Sequence, residues 1–215
     1  MKVLGWLLRF FAFFWVLILS GGTFLQYYDF KNQSTFLTIK AAAVKTGWYL
    51  PAFYFHIIAS SIILLVGFMQ FSPYVYHKRN LHKLLGKVYV FGVLFFAAPG
   101  AYGMTFFINR GPWVFVSFLV QNTLWVLFTL WAWQAIKNKK MDEHVFMMRR
   151  SYALAFAAVT LRLYIFILTK YGNGAHFANN YIIIAYLSWL PNLIFVELLN
   201  RFTKYQPPIL KGGDQ

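Results

Sequence analysis

A chain of 215 residues with 60% hydrophobic and only 12% charged side chains has too little polar surface to cover a water-soluble globule, in which about 25% charged residues is usual; its solvent is lipid. The absence of cysteine excludes disulfides, thiol nucleophiles and thiolate metal sites. The net charge of +15 does not indicate nucleic acid, because the basic residues stand in short gaps between apolar runs and the aromatic residues stand mostly inside those runs.

Six apolar runs follow in chain order, at about 3–26, 48–71, 84–108, 113–136, 152–169 and 181–199. Each is near the roughly 20 residues with which a helix crosses the hydrocarbon, and each is too long for a strand. The pattern predicts an all-α polytopic membrane protein, a bundle of about six transmembrane helices in one domain. Core helices cover about 48–200, an extra helix covers about 3–26, and the segment 205–215 is a loose tail. The first run has Lys2 before it and the small residues Ser20-Gly21-Gly22 near its end, as a signal peptide would. Its apolar part exceeds a signal core and Arg9 interrupts it, so it reads as a retained helix. In the mixed segment 27–47, Phe36, Ile39, Ala43 and Val44 suit one face of a short helix lying on the membrane.

Charge sets the expected orientation. One set of gaps and ends holds Lys2, Arg9, Lys78, Arg79, Lys83, Lys87, Lys137, Lys139, Lys140, Arg149, Arg150, Arg201, Lys204 and Lys211. The opposite set holds only Lys31, Lys40, Lys45, Arg110 and Lys170. This bias predicts a multi-pass protein of the cell inner (cytoplasmic) membrane with both termini in the cytoplasm.

Arg162 lies inside the fifth run, where a charge costs at least about 2.5–3.5 kcal/mol. It is expected to face the bundle and to have a polar partner. Glu197, Asn192, Gln121 and Asn122 are the candidates. Its role is either structural pairing or counter-charge to a bound anion. His56 lies about two turns into the second run and is either a packing residue or a ligand.

The stretch His77 to Lys87 and the stretch Lys137 to Arg150 are short, basic and predicted to share a membrane side. His82 opens the third run, with Gly86 and Tyr89 on its face and Asn80 as a candidate N-cap. His144 opens the fifth run by the same logic. It is eighteen residues before Arg162, five turns of a continuous helix, so the two point the same way, with Met148 and Ser151 along that face. His82 and His144 are expected to converge on one site. His77 and His176 read as solvated loop residues.

His56 with Gly67-Phe68-Met69-Gln70-Phe71, His82-Lys83-Leu84-Leu85-Gly86-Lys87-Val88-Tyr89, and His144 with Met148-Arg149-Arg150-Ser151-Tyr152-Ala153-Leu154 and Arg162 resemble a known pattern. It is that of the uncharacterised bacterial integral membrane proteins catalogued as domain of unknown function 2306, and the resemblance covers about residues 45–200. The family name implies no function. A more distant likeness, a His at a helix start followed by a basic residue and a Gly, is similar to cytochrome b561-like haem proteins. That likeness implies haem b held by His82 and His144 on alternate helices, with Arg149 and Arg150 beside the propionates. The fourth run has no His, so His56 lacks an equivalent partner and a two-haem set is incomplete.

Four functions follow as expectations. The first is redox work with haem b or a quinone at His82 and His144, with His56, Arg149 and Arg162 as further cofactor-binding residues. The second is transport of an anionic solute or lipid by Arg162 and the basic rim. The third is a metal-dependent hydrolase using His77, His82 and His144 with Asp142 or Glu143. The fourth is an accessory subunit for a membrane-protein partner. A wet central cavity reaching Arg162 is the mark of the second, and a coloured protein is the mark of haem.

Overall fold

The structure is a computed structural model that describes residues 2–30, 34–171 and 178–202. Its elements are helices: α1 (Lys2–Tyr27), α2 (Thr35–Ile39), α3 (Ala41–Val44), α4 (Tyr49–Gln70), α5 (Pro73–His77), α6 (Arg79–Gly92), α7 (Ala98–Thr105), α8 (Pro112–Lys137), α9 (Met141–Tyr171), α10 (Ala178–Leu187) and α11 (Leu190–Phe202). Among the described residues, six segments are long and apolar enough to cross a membrane: α1, α4, α6 with α7, α8, α9, and α10 with α11. A helix satisfies its own backbone groups, which hydrocarbon cannot do, so long apolar runs take this form. Below, the side that carries residues 78–87 and 137–150 is the basic face, and the opposite side is the far face.

The helices begin earlier than the apolar runs. α6 starts at Arg79 and α9 at Met141, because their first turns project into the interface, where hydropathy no longer marks helix. Two expectations change as a result. Asn80 is within the first turn of α6; the cap is Lys78, which makes no side-chain capping bond. His77 is in the last turn of α5, where its ring Nδ1–H donates to the Pro73 carbonyl at 2.6 Å. His176 and the tail 205–215 lie outside the described residues.

The third span is irregular. A π-helical turn, Val93–Ala97, joins α6 to α7, and the Ala98 N–H reaches back to the Val93 carbonyl. Pro99 follows and has no N–H to offer the preceding turn. π turns disturb the local carbonyl pattern and are frequent at functional sites.

Close approach of α4 to its neighbours depends on glycine. A Cβ on Gly100 would lie 2.5 Å from the Ala52 carbonyl oxygen and 2.6 Å from the His56 nitrogen. A Cβ on Gly67 would lie 2.5 Å from two ring carbons of Tyr152. Small residues at such crossings let membrane helices touch along their backbones. The centre is tied by a buried polar chain. Tyr89 Oη meets Ser151 Oγ at 2.9 Å, Ser151 meets Thr129 Oγ1 at 2.7 Å, and Trp125 Nε1 donates to Tyr89 Oη at 3.4 Å.

The segment between the first two spans does not form one face. It breaks into α2 and α3 at Lys40. Leu37 and Ala43 are buried in a cluster with Tyr27, Tyr49 and Phe53, whereas Phe36 and Ile39 are exposed and line a cavity. The turn at Lys40 rotates the two halves, so the spacing that aligned Phe36 with Ala43 on a single helix does not hold.

Candidate functional site

A cavity of about 870 Å³ occupies the far-face half of the bundle. Its walls come from α1, α4, α7, α8, α9 and α10, and its floor from Ile63, Trp125 and Leu154. Arg162 reaches into it from α9. Its position nine residues before the end of α9 at Tyr171 places it about 13 Å below the helix end. The guanidinium donates to the Ala158 carbonyl of its own helix at 3.2 Å. Among the described residues it has no carboxylate partner. Its expected partner Glu197 belongs to Arg150 instead, and Asn192 donates to Ala153, Thr160 and Ser188.

Lys40 and Arg110 stand on the same cavity wall system, nearer the surface. Lys40 Nζ donates to the Phe107 carbonyl and to Asn109 Oδ1, both at 3.0 Å. An ammonium has three protons, so one remains for a ligand. Burial, then the charge of Arg110, holds the Lys40 pKa below the ordinary lysine value. The Arg110 guanidinium lies 4.3 Å from the centre of the Tyr181 ring. Among the described residues no acidic side chain lines the cavity.

His56 faces this cavity from α4. Its Nδ1 is 2.9 Å from the Ala97 carbonyl, at the end of the π turn. A carbonyl only accepts, so Nδ1 carries the proton in this contact, and Ser60 Oγ lies 3.4 Å from the same nitrogen. A smaller chamber of about 50 Å³ adjoins, lined by Ser20, Thr23, His56, Ser60, Ser61 and Arg162 among others. Ser20 Oγ is buried there without a hydrogen-bond partner among the described residues. The hydroxyls of Ser20, Thr23, Ser60 and Ser61 and a volume of this size suit an ordered water. Gln121 and Asn122 donate to the Leu154 and Ala98 carbonyls, and among the described residues their amide oxygens are left without donors.

On the basic face, His82 and His144 each occupy the fourth residue of their helices. Their backbone N–H groups close the first turns onto Lys78 and Lys140. Among the described residues no hydrogen bond or ring contact joins the two imidazoles. His144 Nδ1–H donates to the Ala132 carbonyl at 2.8 Å, which leaves Nε2 as its acceptor. His82 Nδ1 is buried without a partner among the described residues, and so is Gln70 Oε1. Gln70 Nε2 donates to the His82 carbonyl at 2.9 Å.

Arg149 is held by Asn200 Oδ1 at 3.2 Å. The residues named for a metal-dependent hydrolase are placed as follows. Among the described residues no three His, Asp or Glu side chains gather where a metal would bind. His77 is turned onto Pro73, and Glu143 is engaged by Lys140 and Trp131.

Lys40 and Arg110 were not singled out by sequence reasoning. The available signal was their position: both are on the cation-poor side, where the charge bias gives no reason for them.

Fold and composition together define an all-α polytopic membrane protein with a basic cavity on one side. The chain belongs to the family described as Predicted membrane protein (DUF2306), whose family model matches residues 53–200. No curated protein and no solved structure matches it.

Proposed function

We propose that the protein binds an anionic ligand in the far-face cavity and handles that anion at the membrane. The observation that carries this reading is Arg162: a guanidinium inside a cavity of about 870 Å³, with Lys40 and Arg110 above it and no carboxylate among the described lining residues. A charge at this depth is costly, and cavity water relieves only part of that cost. A bound acid group would relieve more of it through charge-assisted bonds. The cavity floor at Ile63 and Trp125 sits above the Tyr89–Ser151–Thr129 chain, so the ligand is received and released on the far face.

The test is equilibrium binding of hexadecyl phosphate and uncharged hexadecanol to the purified full chain. The phosphate binds more tightly, and Arg162→Gln weakens it by roughly 10- to 100-fold, the equivalent of a charged hydrogen bond. Equal binding of the two compounds, or no loss in Arg162→Gln, contradicts the reading.

A second reading applies to the basic face. The buried His82 Nδ1, without a partner among the described residues, favours a ligand there, a quinone or haem b. His144 would offer Nε2, with Nδ1 held by Ala132, as is usual for a ligating imidazole. The reduced-minus-oxidised visible spectrum tests it. The orientation belongs to the same proposal: inner membrane, both termini cytoplasmic, the far-face cavity opening outside.

A further inference from the structure

The wall of the cavity is least tightly joined on one side. α1 packs along α4 and touches α9 only briefly; among the described residues it does not approach α8 or α10, which form the opposite wall. On α1, Ile18, Gly22 and Gln26 recur every fourth residue and so form one stripe. All three line the cavity and all three remain exposed. Across from them, Arg162 and Thr169 of α9 line the same cavity and are also exposed. A methyl group placed at Gly22 would meet no atom within 4 Å. These lightly joined positions define a seam between α1 and α9, at a depth where the surrounding solvent is hydrocarbon.

We infer that the ligand is a single-chain anionic lipid drawn from the bilayer, its acidic headgroup at Arg162 and its chain leaving through the seam between α1 and α9. This rests on the anion-binding reading above and specifies the source of the anion. Two observations favour a lipid over a water-soluble anion. First, about 870 Å³ is the size of a pocket for a drug-sized molecule, while a small inorganic anion would fill little of it. Second, charge and apolar surface are separated. Lys40, Arg110 and Arg162 form a descending basic track, and Ile18, Ile57, Leu161 and Ile165 supply an apolar side. The headgroup can descend about 13 Å from the interface along the cations, while the chain stays in hydrocarbon throughout. A closed wall would force the chain through water or the headgroup through lipid, and the second step costs several kcal/mol.

The test uses the full chain in nanodiscs of neutral lipid, with hexadecyl phosphate and methyl phosphate as probes. Gly22→Trp fills the seam, and Gly21→Trp is its control, because Gly21 is equally unobstructed but does not line the cavity. We expect Gly22→Trp to weaken hexadecyl phosphate at least tenfold and to leave methyl phosphate unchanged, and Gly21→Trp to change neither. The chain has no cysteine, so Gly22→Cys offers a variant that gains its bulk after folding. It should bind hexadecyl phosphate normally and lose it on reaction with a bulky maleimide. Retained hexadecyl phosphate binding in the filled variants overturns the seam, as does equal loss of both probes. Failure of the unmodified protein to bind either probe overturns the anion reading itself.

Discussion

Arg150 and Glu197 form a bidentate pair, Nε to Oε2 at 2.8 Å and Nη2 to Oε1 at 2.7 Å, that clasps α9 to α11 at the basic face. The pair commits Glu197, the acid available by sequence to Arg162, to a different arginine on the same helix. Arg162 is thereby left facing the far-face cavity with its own-helix carbonyl as partner.

Breaking that clasp should loosen α11. Glu197 is 41% exposed and solvent screens it, so the loss in Glu197→Gln is modest, about 1 kcal/mol. It should appear as a small fall in the detergent melting temperature. The exchanged double variant Arg150→Glu with Glu197→Arg should recover part of it. A double variant no better than the worse single variant would count against a paired role.

The pH dependence of binding tests Lys40. Its folded pKa lies below the ordinary lysine value, through burial first and Arg110 second. The folded chain thus loses this proton earlier than the unfolded chain, and stability rises with pH from the folded pKa up to the ordinary one. Affinity for an anion of fixed charge, hexadecanesulfonate, moves the other way. It is highest below the folded Lys40 pKa and falls above it. Lys40→Arg should move the fall to higher pH. Tyr49 and Tyr181 line the cavity in both proteins, so coincident profiles would remove Lys40 from the site.

Gly67→Ala should destabilise the fold by about 1–3 kcal/mol, as overpacking does. The added carbon would meet the Tyr152 ring at 2.5 Å and Tyr89 at 2.9 Å. The Tyr152 ring cannot swing away freely, because its hydroxyl donates to the Leu64 carbonyl at 3.0 Å. Thermal unfolding of the single variant, and of the double with Tyr152→Leu, checks this. Additive losses in the double would show that the two positions do not share this contact.

The visible spectrum of purified protein should separate the uses of His82 and His144. If they bind haem b, a Soret band appears and is altered in His82→Ala and His144→Ala. A colourless protein whose quinone binding falls in both variants assigns the pair to quinone. Colourless protein with unchanged quinone binding in both variants removes the basic-face site.

Reporter fusions after Gln215 and within residues 172–177 should report opposite sides of the membrane, the first cytoplasmic. Two reporters on one side would defeat the charge-derived orientation.

The sequence makes legible the number, order and approximate extent of the spanning helices, because each must bury its own backbone polar groups across a fixed hydrocarbon thickness. It also carried the placement of His82 and His144 near helix starts on one side, since connectivity alternates sides and the continuous α9 preserves the register between His144 and Arg162. What only the tertiary structure decided is the company each polar residue keeps. The pairing of Arg150 with Glu197, the cavity at Arg162, the π-turn carbonyl that orients His56, and the convergence of Lys40 and Arg110 depend on how helices are rotated and offset against each other. Those offsets are set by contacts such as Gly100 on Ala52 and Gly67 under Tyr152, between residues far apart in the chain. Hydropathy sums burial along one helix at a time. It therefore measures how well a segment suits lipid, and contains no term for which neighbour shields it or where two neighbours fail to meet.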